Sequence, residues 1–86
     1  MDKRVKLIPK EGLDALIKAY EVGVEKYAVD DWKTKYTRDD ELKKIDRHFY
    51  KYAGGAKIDP DGQHHLAAVA FHCMSLIWRD AQEVKR

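Results

Sequence analysis

Leu13-Asp14-Ala15-Leu16-Ile17-Lys18-Ala19-Tyr20-Glu21-Val22-Gly23-Val24-Glu25-Lys26-Tyr27 carries its apolar residues at the spacing of a helix. Leu13, Leu16, Ile17, Tyr20, Val24 and Tyr27 fall at i, i+3, i+4, i+7, i+11 and i+14. That is one stripe of a helix, predicted from about residue 10 to 27. Pro9 precedes Lys10-Glu11-Gly12, as a proline near a helix start should. Asp30-Asp31 ends the run, and Trp32 follows in a loop.

Downstream the same period returns twice. Thr37 can cap a second helix, with Asp40 three residues on in the capping-box position. Leu42, Ile45, Phe49 and Tyr52 form its expected buried stripe, and Gly54-Gly55 stop it. A third helix is expected to start near Asp59 or Asp61, with Pro60 in its first turn and the acids at the positive end of its dipole. Leu66, Val69, Ala70, Cys73, Met74 and Ile77 would supply its buried face, before fraying over Gln82-Glu83-Val84-Lys85-Arg86. No stretch alternates at period two. The fold class is therefore all-α: one domain over residues 1–86, with three main helices in a small bundle.

Eighty-six residues bury only about 60–65% of their unfolded surface, so completion of the bundle as a homo-oligomer is expected. No segment approaches the run of about 18 apolar residues that a membrane span needs. Met1-Asp2-Lys3-Arg4 has no apolar signal core behind it, which argues against secretion. A formal charge of +2, well mixed along the chain, does not fit binding to duplex nucleic acid. Cys73 cannot form an intrachain disulfide alone and reads as a small buried hydrophobe rather than a reactive thiol. A small-molecule partner is expected.

Titratable groups gather around Asp59-Pro60-Asp61-Gly62-Gln63-His64-His65-Leu66. His65 and His72 are seven residues apart, two helical turns, and share a face with the small Ala68 between them. His64 points about a quarter-turn away and reads as a solvated neighbour. The plainer alternative makes His65 and His72 interior histidines bonded to another helix. Arg47-His48 offers a fork suited to phosphate beside a ring at the edge of the apolar stripe. The plainer fate of Arg47 is a surface salt bridge. Glu21 and Glu25, four apart, could hold one divalent ion, or could be a charged surface balanced by Lys18 and Lys26. Trp32 and Tyr36 are possible stacking surfaces for a base, or covers for a small core. A Gly-rich phosphate loop, His-Glu-x-x-His, Cys-x-x-Cys and a nucleophile elbow are all missing.

The order of several residues resembles the N-terminal domain family of phage and prophage dATP/dGTP diphosphohydrolases, similar to the all-α, MazG-like nucleotide pyrophosphohydrolases. The matching pieces are Arg4 with Leu7-Ile8-Pro9, Leu13, Leu16, Gly23 with Lys26-Tyr27, Arg47-His48, Asp59, Gly62 and His65-Leu66-Ala67. Asp31-Trp32 stands where the family usually has Asn-Trp. The family commonly has His at the position of Ala68 and Asn at that of His72. The Glu-x-x-Glu plus Glu-x-x-Asp metal motif of the MazG type is absent.

The resemblance implies a helical, often oligomeric nucleotide-binding domain. It would split a purine deoxynucleoside triphosphate into monophosphate and pyrophosphate with Mg²⁺ or Mn²⁺, in the bacterial host cytoplasm if phage-encoded. The candidate set is Asp59, His65 and His48 for catalysis, and Lys26, Tyr27, Trp32, Arg47 and His72 for substrate. Glu21, Glu25 and Asp59 are the candidate metal ligands. Because the four-carboxylate motif is missing, a non-catalytic phage protein that sequesters a nucleotide, a cyclic one included, is the alternative. A helical interaction module is the third reading.

Overall fold

A computed structural model describes residues 3–26, 33 and 36–84, with Lys26 and Val84 through their backbone only. Tyr27, Asp30, Asp31 and Trp32 lie outside the described residues, as does the side chain of Lys26. A short 3-10 helix at Lys3–Leu7 leads into α1 (Lys10–Lys26), followed by α2 (Arg38–Ala53) and α3 (His65–Val84). Among the described residues the three-helix, all-α architecture expected from the periodicity is what forms. None of these helices is long and apolar enough to cross a membrane.

Local chemistry explains the ends of α2. Thr37 accepts from the Asp40 amide at 3.1 Å while Asp40 accepts from the Thr37 amide at 3.0 Å, a complete capping box. Hydrogen bonding from the Thr37 backbone first, and from its side chain second, holds the Asp40 carboxyl below its ordinary range. At the other end the Gly55 amide donates to Tyr52 and the Ala56 amide to Lys51, both at 3.0 Å. This Schellman arrangement needs a left-handed residue, and Gly55 supplies it at φ +107°.

The connection to α3 corrects the expected helix start. Pro60 and the two acids belong to a tight reversal rather than to the helix. Asp59 accepts from the Gly62 amide and donates its own amide to Gln63, both at 2.8 Å, and Gly62 takes φ +96°. A turn closed by a left-handed residue is a common short hairpin loop. It is flanked by an isolated bridge between Ile58 and His64 and by a 2.8 Å bond from the His65 amide to Lys57. α3 then begins at His65. His64, expected to be a solvated neighbour, is half-buried and occupies the cap, its Nδ1 accepting from the Leu66 amide at 3.0 Å. A ring nitrogen does there what a Ser or Asp oxygen usually does.

α3 packs against both α1 and α2, and more extensively against α2. Against α1 the contact is apolar: Ala19 and Val22 are buried, and the Tyr20 and Phe71 rings sit 4.6 Å apart. Against α2 it is polar. Glu41, His48, His65, His72 and Ser75 are all buried, whereas the buried apolar side chains are only Ala19, Val22, Ala67 and Ala68 among the described residues. The expected stripes of α2 and α3 are therefore displaced by about one residue. Phe49 is 58% exposed and Ile77 64%, and Leu42, Leu66 and Met74 also reach solvent. Cys73 is half-buried. The face that turns inward is the one on which His48 pairs with His65 and Glu41 with His72 across the interface, because an unpaired buried polar group costs more than an exposed Leu or Phe.

The pairing has a simple register. His48 faces His65, and seven residues back along α2 and seven on along α3, Glu41 faces His72. The two helices are thus antiparallel, with polar layers two turns apart.

Candidate functional site

The turn and the two helices bring Asp59, His48 and His65 together, with one potential ligand atom from each lying within 4.8 Å of the others. His48 Nδ1 and His65 Nδ1 are 2.9 Å apart, and His65 Nδ1 is 3.9 Å from Asp59 Oδ1. Asp59 is aimed by its own turn: its Oδ2 accepts from the Asp61 amide at 3.1 Å, which leaves Oδ1 toward the rings. Asp61 instead braces the loop by accepting from the Gln63 amide and side chain. The His65 side chain is 2% exposed and that of Asp59 17%, so the cluster opens on the Asp59 side.

The donor set fits a metal ion. Two nitrogens bound at about 2.0–2.1 Å lie about 3.0 Å apart when they subtend a right angle, and the facing imidazoles already sit at that separation. Burial first, then the Arg47 guanidinium and the facing His65, push the His48 pKa down to about 4. The ring is neutral at pH 7, the form a metal needs. Arg47 itself is exposed on α2, with Nη2 3.4 Å from His48 Nε2.

For His72 the plainer alternative holds, an interior histidine bonded to another helix, with a partner that the sequence did not single out. Glu41 is 0% exposed; its Oε1 accepts from His72 Nδ1 at 2.8 Å, and its Oε2 has no partner among the described residues. Burial keeps the His72 pKa below its ordinary value despite that bond, which acts the other way. Phe71 and Tyr36 stand edge-on to the His72 ring at 5.1 and 5.7 Å. The His72 ring lies 6.4 Å from that of His48, so it adjoins the triad without entering it. The signal that could have found Glu41 was its spacing, seven residues before His48.

Glu21 and Glu25 remain exposed on α1 and do not join the triad. Glu21 rims an open groove of about 440 Å³ along α1, lined by Leu16, Ile17, Tyr20 and Val24. Tyr36 packs with the Lys44 ammonium 4.9 Å over its ring. Lys26, Tyr27 and Trp32 lie outside what is described at side-chain level.

No curated protein and no solved structure matches the chain. A family model does, over residues 2–86: with its three helices and its His48–Asp59–His65 cluster, the chain belongs to the dATP/dGTP diphosphohydrolase N-terminal family.

Proposed function

We propose that the protein is a metal-dependent pyrophosphohydrolase that converts a purine deoxynucleoside triphosphate to its monophosphate and pyrophosphate. The observation that carries this reading is the convergence of His48, Asp59 and His65 in a member of that family. Two imidazoles and one carboxylate suit a transition ion, Mn²⁺ above Mg²⁺, because Mg²⁺ selects oxygen donors. The ion would polarise phosphoryl oxygens and lower the pKa of bound water. The chain's own residues hold the site in shape: the turn fixes Asp59, burial keeps the His48 ring neutral, and Arg47 stands beside it to take a phosphate oxygen by its fork. Hydrolysis consumes one water. Its oxygen ends on the α-phosphorus, the bond from that atom to the bridging oxygen breaks, and pyrophosphate leaves with the electron pair.

Incubation with each deoxynucleoside triphosphate and Mn²⁺, read by pyrophosphate release, tests the proposal. Release from dATP or dGTP that stops in a chelator is expected; no turnover of any nucleotide would refute it. A second reading, nucleotide binding without hydrolysis, draws on the cluster's having one carboxylate among the described residues and on the separation of Glu21 and Glu25 from it. Recovery of tightly bound nucleotide unchanged, without a metal requirement, would favour that one.

A further inference from the structure

Arg47 cannot keep its present partner once an ion binds. A guanidinium only donates hydrogen bonds, so its contact with His48 Nε2 at 3.4 Å makes that nitrogen the acceptor. The single ring hydrogen of neutral His48 must then sit on Nδ1. There it donates across 2.9 Å to His65 Nδ1, which supplies the lone pair. In this arrangement His48 offers an ion nothing: one nitrogen is covered by Arg47 and the other carries hydrogen.

An ion that takes the facing Nδ1 atoms requires the His48 hydrogen on Nε2. The Nδ1 proton passes to solvent and another is taken up at Nε2, with no net change in the ring's charge. Nε2–H and the guanidinium would then be two donors face to face. An ion that takes Nε2 instead displaces Arg47 directly. Either way the guanidinium leaves, and on an exposed face of α2 beside the ion its natural partner is an oxyanion.

We propose that Arg47 is a two-position switch that couples the ion to the phosphate: it caps His48 in the ion-free protein, and ion binding releases it to hold a phosphate oxygen. This rests on the metal reading of the His48–Asp59–His65 cluster. By linkage the coupling runs both ways, so an oxyanion that captures Arg47 must tighten the ion by the same factor.

The test uses the ¹⁵N-labelled protein, Zn²⁺ as a diamagnetic probe and sulfate as the oxyanion. Two-bond ¹⁵N–¹H spectra should show the His48 hydrogen on Nδ1 without Zn²⁺ and on Nε2 with it. Calorimetry should show sulfate tightening Zn²⁺ by about fivefold or more. In Arg47→Met the ion-free ring should shift toward the Nε2–H form, and the sulfate effect should vanish. His48 carrying its hydrogen on Nε2 in the ion-free native protein would overturn the switch, as would independent binding of Zn²⁺ and sulfate. Failure of Zn²⁺ to bind at all would sink the metal reading and the coupling with it, whereas the ion-free spectrum judges the first position of Arg47 by itself.

Discussion

Lowering the pH from 7.5 to 5.0 should destabilise the ion-free protein by about 2 kcal/mol through His48 alone. The sign follows from the direction of the shift. Burial, Arg47 and His65 hold the folded-state pKa at about 4, against an unperturbed 6.5. Above pH 6.5 the ring is neutral in both states and exerts no pull. As the pH falls below 6.5 the unfolded chain takes up a proton that the folded one refuses, so stability declines until about pH 4, where the folded ring also titrates. At pH 5.0 the unfolded ring is almost wholly protonated and the folded ring about one-tenth so, which gives the 2 kcal/mol. For a domain of this size that corresponds to about 8–16 °C in Tm. Urea unfolding followed by circular dichroism, in chelator, at both pH values measures it. His48→Gln is the control, because an amide still donates to His65 and does not titrate. The native protein should lose about 2 kcal/mol more than the variant between the two pH values. Equal losses would refute the account, since His48 would then titrate in the folded state as it does unfolded.

Three further outcomes are expected. Asp59→Asn should weaken Mn²⁺ binding at least about tenfold by calorimetry while leaving the helical circular dichroism intact; unchanged affinity would remove Asp59 from the site. Glu41→Met and His72→Leu should each destabilise by about 2–4 kcal/mol, because each leaves a buried partner unsatisfied, yet the double variant should recover at least about 2 kcal/mol of the summed loss. Strict additivity in urea melts would mean that the pair is not coupled. Light scattering should give a mass well above the 10.0 kDa of one chain, because Phe49, Tyr50, Met74 and Ile77 are left in solvent. A clean monomer at micromolar concentration would contradict that.

The features legible in the sequence were those decided within a few residues. Thr37 with Asp40, and Gly54-Gly55 after Ala53, mark their ends of α2 because caps are local hydrogen-bond chemistry. Asp59 and Pro60 were ambiguous for a physical reason: the same residues start helices and make turns. The left-handed Gly62 settles the matter by closing a loop that a helix cannot contain. Which face of α2 and α3 turns inward was not local at all. A stripe of Leu42, Phe49 and Ile77 looks like core until Glu41 and His72 are seen to need each other. The site followed the same division. Asp59, His48 and His65 were in view, whereas Glu41 was hidden because a carboxylate in a first helical turn ordinarily needs no explanation.

The two polar layers also discriminate between ways of aligning α2 with α3. An interface of Ile, Leu and Ala can slide with little loss, since one apolar contact replaces another. Here a slip of one residue would strand His48, His65, Glu41 and His72 together in the interior, each without its partner. The penalty doubles because the layers are spaced by the same seven residues on both helices. Mispaired hairpins are thereby disfavoured as a group, and the chain names one alignment with four side chains that contribute little apolar burial.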